Sequence, residues 1–225
     1  MSNARDEIFA GVRRALGVDG RERPRRSLVE DRLARAPAGP IPARAQGAVA
    51  ERLEIFLSEA GRAHATFARI ASSDEAPAEA ARFLRDNNLP AVLRMGSDER
   101  LAAMPWAATA LNISTGASQG GDLNAVSHAF AAVAETGTLI LLSGAENPTT
   151  LNFLPDNHIV VVRASDVADS FETAWSSLRQ RTGKAVMPRT LNMITGPSRS
   201  GDIEQILLLG AHGPRRLHIV LVEND

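Results

Sequence analysis

Residues 65–95 read ATFARIASSDEAPAEAARFLRDNNLPAVLRM, and this stretch decides the fold. Its two ends, Ala65 to Ile70 and Ala91 to Met95, are short apolar runs that read as strands. Between them, Pro77 to Asn87 reads as a helix. Strand, helix, strand in succession argues for parallel βα units, with a sheet covered on both faces.

The pattern continues outward from this stretch. Upstream, Ala43 to Ala60 is helical, with Val49, Leu53, Phe56 and Leu57 on one face. Downstream, Asp98 to Ala103 reads as a short helix, Ala108 to Ile113 as a strand and Gly116 to Asp122 as a loop. Asn124 to Ala134, which contains His128, alternates only weakly. Thr138 to Leu142 is a continuous apolar run bounded by glycine, the mark of a buried strand, and Ile159 to Val162 is a second. Pro148 to Leu154 reads as a turn or short helix. Ser165 is placed to cap a helix through Leu178, with Phe171, Trp175 and Leu178 on one face. Leu191 to Thr195 and Leu217 to Val222 read as strands, and Ile203 to Leu209 as a helix turning into a strand.

At the N-terminus, Ala4 to Leu16 carries Ile8, Val12 and Leu16 at helical spacing, with Ser2 or Asn3 as the cap and Gly17 as the stop. An Arg-, Pro- and Ala-rich stretch follows, with a short helix over Leu28 to Arg35. The first 46 residues hold ten Arg against six acids. The expected organisation is an arm over residues 1–46 and one α/β domain over residues 47–225. Such an arm can touch RNA or an acidic partner, but the favoured reading lays it across the body or a neighbouring subunit, which leaves a homo-oligomer open.

Composition narrows the function classes. At 225 residues, 44% apolar and 23% charged, the chain has the make-up of a soluble globular protein. A net charge of −1 gives no overall basic field for nucleic acid. No apolar run has the length of a membrane span, and the N-terminus lacks a secretory apolar region, so the expected location is cytoplasmic. The absence of cysteine excludes disulfides, a thiolate nucleophile and thiolate-held iron–sulfur clusters or zinc. Positive charge is almost all Arg, which suits carboxylate or phosphate but equally reflects a coding bias.

Four stretches can carry chemistry. In Ala134-Glu-Thr-Gly-Thr138, the hydroxyls of Thr136 and Thr138 and the turn amides around Gly137 can hold an anion, with Glu135 as base or nucleophile. The alternative is a Glu135 paired with an Arg and a Thr136 that closes a turn. In Asn152-Phe-Leu-Pro-Asp-Asn-His158, Asp156 either orients His158 or caps a turn. In Ile194-Thr-Gly-Pro-Ser-Arg-Ser-Gly-Asp-Ile-Glu204, Gly196, Ser198, Arg199 and Ser200 can form an anion cradle, with Asp202 and Glu204 close behind. In Gly210-Ala-His-Gly-Pro214, His212 sits between glycines where it can serve as a ligand donor or acid–base group. The histidines lack standard metal-ligand spacing, so no metal is expected. Phosphate-loop, nucleophile-elbow and dinucleotide glycine signatures are absent.

Taken in order, Ala134-Glu-Thr-Gly-Thr-Leu, Leu154-Pro-Asp-Asn-His-Ile, Ile194-Thr-Gly-Pro-Ser-Arg and Gly213-Pro-Arg-Arg-Leu-His-Ile resemble the LUD-domain family, within it the lactate utilization protein C group. The departure is Ser200-Gly201, where that group's pattern has Thr-Ala; a hydroxyl is kept. The resemblance implies an α/β, parallel-sheet fold like that of ribose-5-phosphate isomerases, glucosamine-6-phosphate deaminases and coenzyme A transferases, whose ligands lie beyond the strand ends. It also implies a part in oxidising L-lactate to pyruvate beside partner proteins that carry the iron–sulfur clusters, with no cofactor held by this chain. The other expectations are an independent enzyme acting on a sugar phosphate or acyl-CoA, and a module that binds a small organic anion without chemistry.

Overall fold

A computed structural model of the chain describes residues 3–183, 185–203 and 206–224, without the side chains of Ala45 and of residues 201–208. The chain divides into two compact units, Met1–Pro40 and Ile41–Asp225.

The first unit holds two helices. Helix α1 (Ala4–Leu16) starts at Asn3, whose side chain accepts the Arg5 amide, and stops at Gly17 in the left-handed conformation. Helix α2 (Arg23–Arg35) begins five residues before the expected Leu28, because Pro24 sits in its first turn, where a missing N–H costs nothing. Neither helix buries a residue, so the apolar stripe Ile8, Val12 and Leu16 is exposed.

The second unit begins with α3 (Val49–Arg62), where Glu51 reaches back to the Ala48 amide. Then come β1 (Thr66–Ile70), α4 (Ala76–Asp86), β2 (Val92–Met95), α5 (Glu99–Ala102) and β3 (Asn112–Thr115). Strand β3 starts later than the expected Ala108. Trp106 donates its indole N–H to the Leu101 carbonyl at 2.6 Å and holds Trp106–Ala108 in a 3-10 turn. The weakly alternating stretch splits into β4 (Asn124–His128) and β5 (Ala131–Val133), followed by β6 (Thr138–Leu142) and β7 (Asn157–Arg163). A two-residue strand, β8 (Val167–Ala168), precedes α6 (Phe171–Thr182), which is capped by Ser170 rather than Ser165. The chain continues through β9 (Leu191–Ile194), β10 (Arg199–Ile203), β11 (Ile206–Leu209) and β12 (Arg216–Val222). Where a helix running into a strand was expected, β10 and β11 instead form an antiparallel hairpin.

Six strands form a parallel sheet in the order β1-β12-β7-β4-β2-β3. The fold class is therefore α/β with a parallel central sheet. Strands β1 and β2, read from the sequence as one βα unit, are parallel in this sheet but have three strands between them. A second, mixed sheet has the order β8-β5-β6-β9.

Alternation along β7 and β12 sends side chains to two cores. Ile159, Val161, Val220 and Val222 pack with Phe83 and Leu84 of α4 and Leu101 of α5. Val160, Val162, Leu217, Ile219 and Leu221 pack with Phe56 and Leu57 of α3 and with Leu139 and Leu141 of the second sheet. Ala131, Val133 and Ile140 on the second sheet's other face pack with Ala174 of α6. His158 points with Val160 and Val162, toward the second sheet.

Candidate functional site

The N-terminal ends of β7 and β12 meet the end of β9 and two glycine-containing loops around a cavity of about 340 Å³. Its lining includes Asn152, Phe153, His158, Thr195, Gly196, Ser198, Arg199 and His212. Parallel α/β sheets commonly bind ligands beyond the carboxyl ends of their strands. Here the lining residues of β7 and β12 come from the amino ends instead.

Ser198 ties the two loops together. Its amide donates to the Pro214 carbonyl at 2.8 Å, and its carbonyl accepts the Gly210 amide at 2.9 Å. Its hydroxyl accepts the His212 amide at 3.4 Å. These bonds bring Arg199 and His212 to one cavity, both exposed. They also occupy the Ser198 amide that a cradle of backbone donors would offer an anion. The polar side chains of the lining residues include an arginine, hydroxyls and imidazoles.

A buried polar network lies at the cavity floor. His158 Nε2 is 3.0 Å from Ser127 Oγ, and Ser127 donates a long hydrogen bond, 3.5 Å, to Asn152 Oδ1. His158 and Asn152 are both 0% exposed. Burial lowers the His158 pKa from 6.5 to about 3, so the imidazole is neutral throughout the physiological range. Two atoms of the network, His158 Nδ1 and Asn152 Nδ2, are buried without a hydrogen-bond partner.

Of the residues singled out from the sequence, His158, Gly196, Ser198, Arg199 and His212 line this cavity. Glu135 does not. Its carboxylate accepts the Phe171 amide at 3.1 Å, at the start of α6, where the helix dipole favours a negative charge. Thr136 and Thr138 lie behind the cavity wall: their hydroxyls are 2.7 Å apart, and that of Thr138 is 2.7 Å from the hydroxyl of the lining residue Thr195. Gly137 packs against α3, where a Cβ would fall 2.3 Å from the Ala60 amide nitrogen. Ser200 lies in β10, opposite Leu208, and is not among the lining residues. The Asp202 backbone belongs to the same strand, whereas its side chain and all of Glu204 lie outside the described residues. Asp156 accepts the Arg215 and Arg216 amides with its carbonyl and pairs with the Arg215 side chain at 3.7 Å.

The other buried histidines serve the opposite face of the sheet. His218 contacts Thr66 Oγ1 at 2.8 Å and Glu79 Oε1 at 2.9 Å, and stacks on Phe83. His128 contacts the Ala129 carbonyl at 2.8 Å. Among the described residues, no group of three or more His, Cys, Asp or Glu is placed to hold a metal ion.

Sequence reasoning missed Ser127, Asn152 and Thr195 as site residues. Asn152 opened a motif that had been singled out for its Asp and His. Ser127 carried no local signal, because only the register of β4 beside β7 brings its hydroxyl to His158.

Residues 124–222 match the LUD domain family model. This region of the chain is similar to the LUD domain. The matched region contains all fourteen lining residues of the cavity, from Asn152 to Leu217. The chain is 40% identical over 91 residues to lactate utilization protein C of Geobacillus thermodenitrificans (strain NG80-2), covering 40% of this chain and 38% of that protein. It is 36% identical over 93 residues to lactate utilization protein C of Bacillus subtilis (strain 168), covering 41% and 39%. The chain thus spans about two fifths of the length of these relatives. Among solved structures, a duf162 family protein from Deinococcus radiodurans is similar in fold, with a TM-score of 0.55 and 23% identity, covering 79% of this chain and 99% of that one.

Proposed function

We propose that this chain is a member of the LUD-domain family and works in the cytoplasm as a lactate utilization protein C-like subunit, taking part in the oxidation of L-lactate to pyruvate beside iron–sulfur partner proteins. In this reading its cavity holds the organic anion. The observation that carries it is the convergence of Arg199, Ser198, His212 and His158 on one cavity inside the region that matches the LUD domain model, in a chain similar to proteins named lactate utilization protein C. Arg199 supplies a planar, permanently charged partner for a carboxylate. Ser198 and Thr195 supply hydroxyls to the same lining. Oxidising a hydroxy acid removes two electrons, and a chain without cysteine has no thiolates to hold an iron–sulfur centre for them. The part left to this chain is to bind and orient.

A pull-down of the tagged full chain from cells grown on L-lactate tests the association. Recovery of iron–sulfur proteins, with loss of growth on L-lactate after deletion, supports the reading. Absence of any such partner, with growth unchanged, refutes it.

The cavity volume favours one second reading. About 340 Å³ falls within the ~300–1,000 Å³ typical of small-molecule sites and leaves room beyond a three-carbon acid. A sugar phosphate would fill more of it, and an acyl-CoA could place only its acyl end there; either would make the protein an independent enzyme or binding module. Turnover or tight binding of such a compound by the protein alone distinguishes this reading.

A further inference from the structure

Two polar atoms at the cavity floor are buried without partners: Nδ1 of His158 and Nδ2 of Asn152. Buried polar groups are nearly always paired, so two orphans on residues that line one cavity and are joined through Ser127 call for an explanation. Their chemistry follows from the network that holds them. The single proton of the Ser127 hydroxyl goes to Asn152 Oδ1. His158 Nε2 is then the donor to Ser127 Oγ, and Nδ1 carries the bare lone pair of the neutral ring. Asn152 Nδ2 has N–H groups to give. These two lining residues therefore carry one unpaired acceptor and one unpaired donor, and no charge.

We propose that His158 and Asn152 form a subsite that reads an alcohol hydroxyl, and so separates a hydroxy acid from the corresponding keto acid. The inference rests on the organic-anion reading of the cavity. A hydroxyl is a single group that both accepts from Asn152 Nδ2 and donates to His158 Nδ1. A ketone accepts but cannot donate, which leaves Nδ1 unpaired. A carboxylate has no proton for Nδ1, and burying its charge on an uncharged floor is unfavourable. The carboxylate end of the ligand belongs instead with exposed Arg199. The subsite favours binding of the reduced acid and release of the oxidised one. Ser127 is a positioning residue, since it fixes the tautomer of His158.

The test uses the purified full chain with three probes, L-lactate, pyruvate and propionate, titrated by calorimetry. L-lactate is expected to bind at least about tenfold more tightly than the other two, because a site built to pair a hydroxyl rejects analogues that lack its donor. Asn152→Leu and His158→Phe are each expected to bring the three affinities within about twofold of one another, with melting curves confirming that each variant is folded. Arg199→Gln is expected to weaken all three alike. If either floor variant fails to fold, the ¹⁵N resonance of His158 Nδ1 in the unaltered protein gives the answer: it shifts upfield with L-lactate and stays in place with pyruvate. Equal binding of all three probes, still dependent on Arg199, overturns the hydroxyl subsite and leaves the organic-anion reading intact. Binding of none overturns the subsite as well; the pull-down, which does not depend on the cavity, then decides the broader reading.

Discussion

Gly196, which lines the cavity, also serves packing. Its φ is +72°, and a Cβ there would lie 2.0 Å from the Ala63 carbonyl oxygen, just beyond α3. The backbone comes close to a helix end, and the cavity lies along the resulting turn. Gly196→Ala is expected to destabilise the chain by about 2 kcal/mol or more, read from denaturant unfolding, because left-handed strain adds to a backbone clash. The neutral His158 gives a second residue-scale prediction. The folded chain holds this ring near a pKa of 3, whereas the unfolded chain protonates it near 6.5. Its contribution is complete above pH 6.5 and is lost progressively as pH falls toward 3, because over that window the unfolded state binds more protons. Burial lowers His128 and His218 in the same direction, against the raising effects of the Ala129 carbonyl and Glu79 respectively. Stability is expected to fall by up to about 1.4 kcal/mol per pH unit for such a ring between pH 6 and 4.5. In His158→Phe the dependence is shallower by roughly one ring; equal slopes would count against a neutral buried imidazole. His158 was legible as a candidate because it follows Asp156 by two residues at the head of an apolar strand. Its partners were not, because Ser127 and Asn152 lie 31 and 25 positions from the residues they bond.

At the scale of elements, the start of α6 separates what spacing reveals from what pairing decides. The expected cap was Ser165, but β8 takes Val167–Ala168 to pair with β5, and the helix begins only after Ser170. Local preference gave way to a parallel pairing with a strand more than thirty residues earlier. The helix start then draws on Glu135, which the sequence offered as base, nucleophile or ion-pair partner. Ser170→Ala and Glu135→Ala are each expected to cost about 1 kcal/mol in urea unfolding. Glu135→Gln keeps an acceptor for the Phe171 amide and is expected to lose less than half of that. Equal losses in Glu135→Ala and Glu135→Gln would show that the charge, rather than the acceptor, holds the helix. The stretch Asn124 to Ala134 illustrates the same limit. Its weak alternation arises because one segment supplies β4 to the first sheet and β5 to the second, burying every residue of both strands.

For the whole molecule, the division into two units carries a prediction. Among the described residues, helices α1 and α2 bury nothing, and the three apolar cores lie between Leu53 and Val222. A chain beginning at Ile41 is therefore expected to fold alone, with a melting temperature within a few degrees of the full chain by circular dichroism. A large drop, or loss of a cooperative transition, would show that the first unit supplies stability to the second. The sequence by itself determined the α/β class, the positions of most helices and strands, the family resemblance and the inability to hold a thiolate-ligated cluster. These follow from local periodicity, ordered motifs and composition, which are properties of neighbouring residues. Only the tertiary structure decided the strand order, the mixed second sheet, the gathering of Arg199, His212 and His158 on one cavity, and the diversion of Glu135 to a helix start. Those depend on which distant backbones pair, and hydrogen bonds between peptide groups carry no side-chain label that a single chain could display in advance.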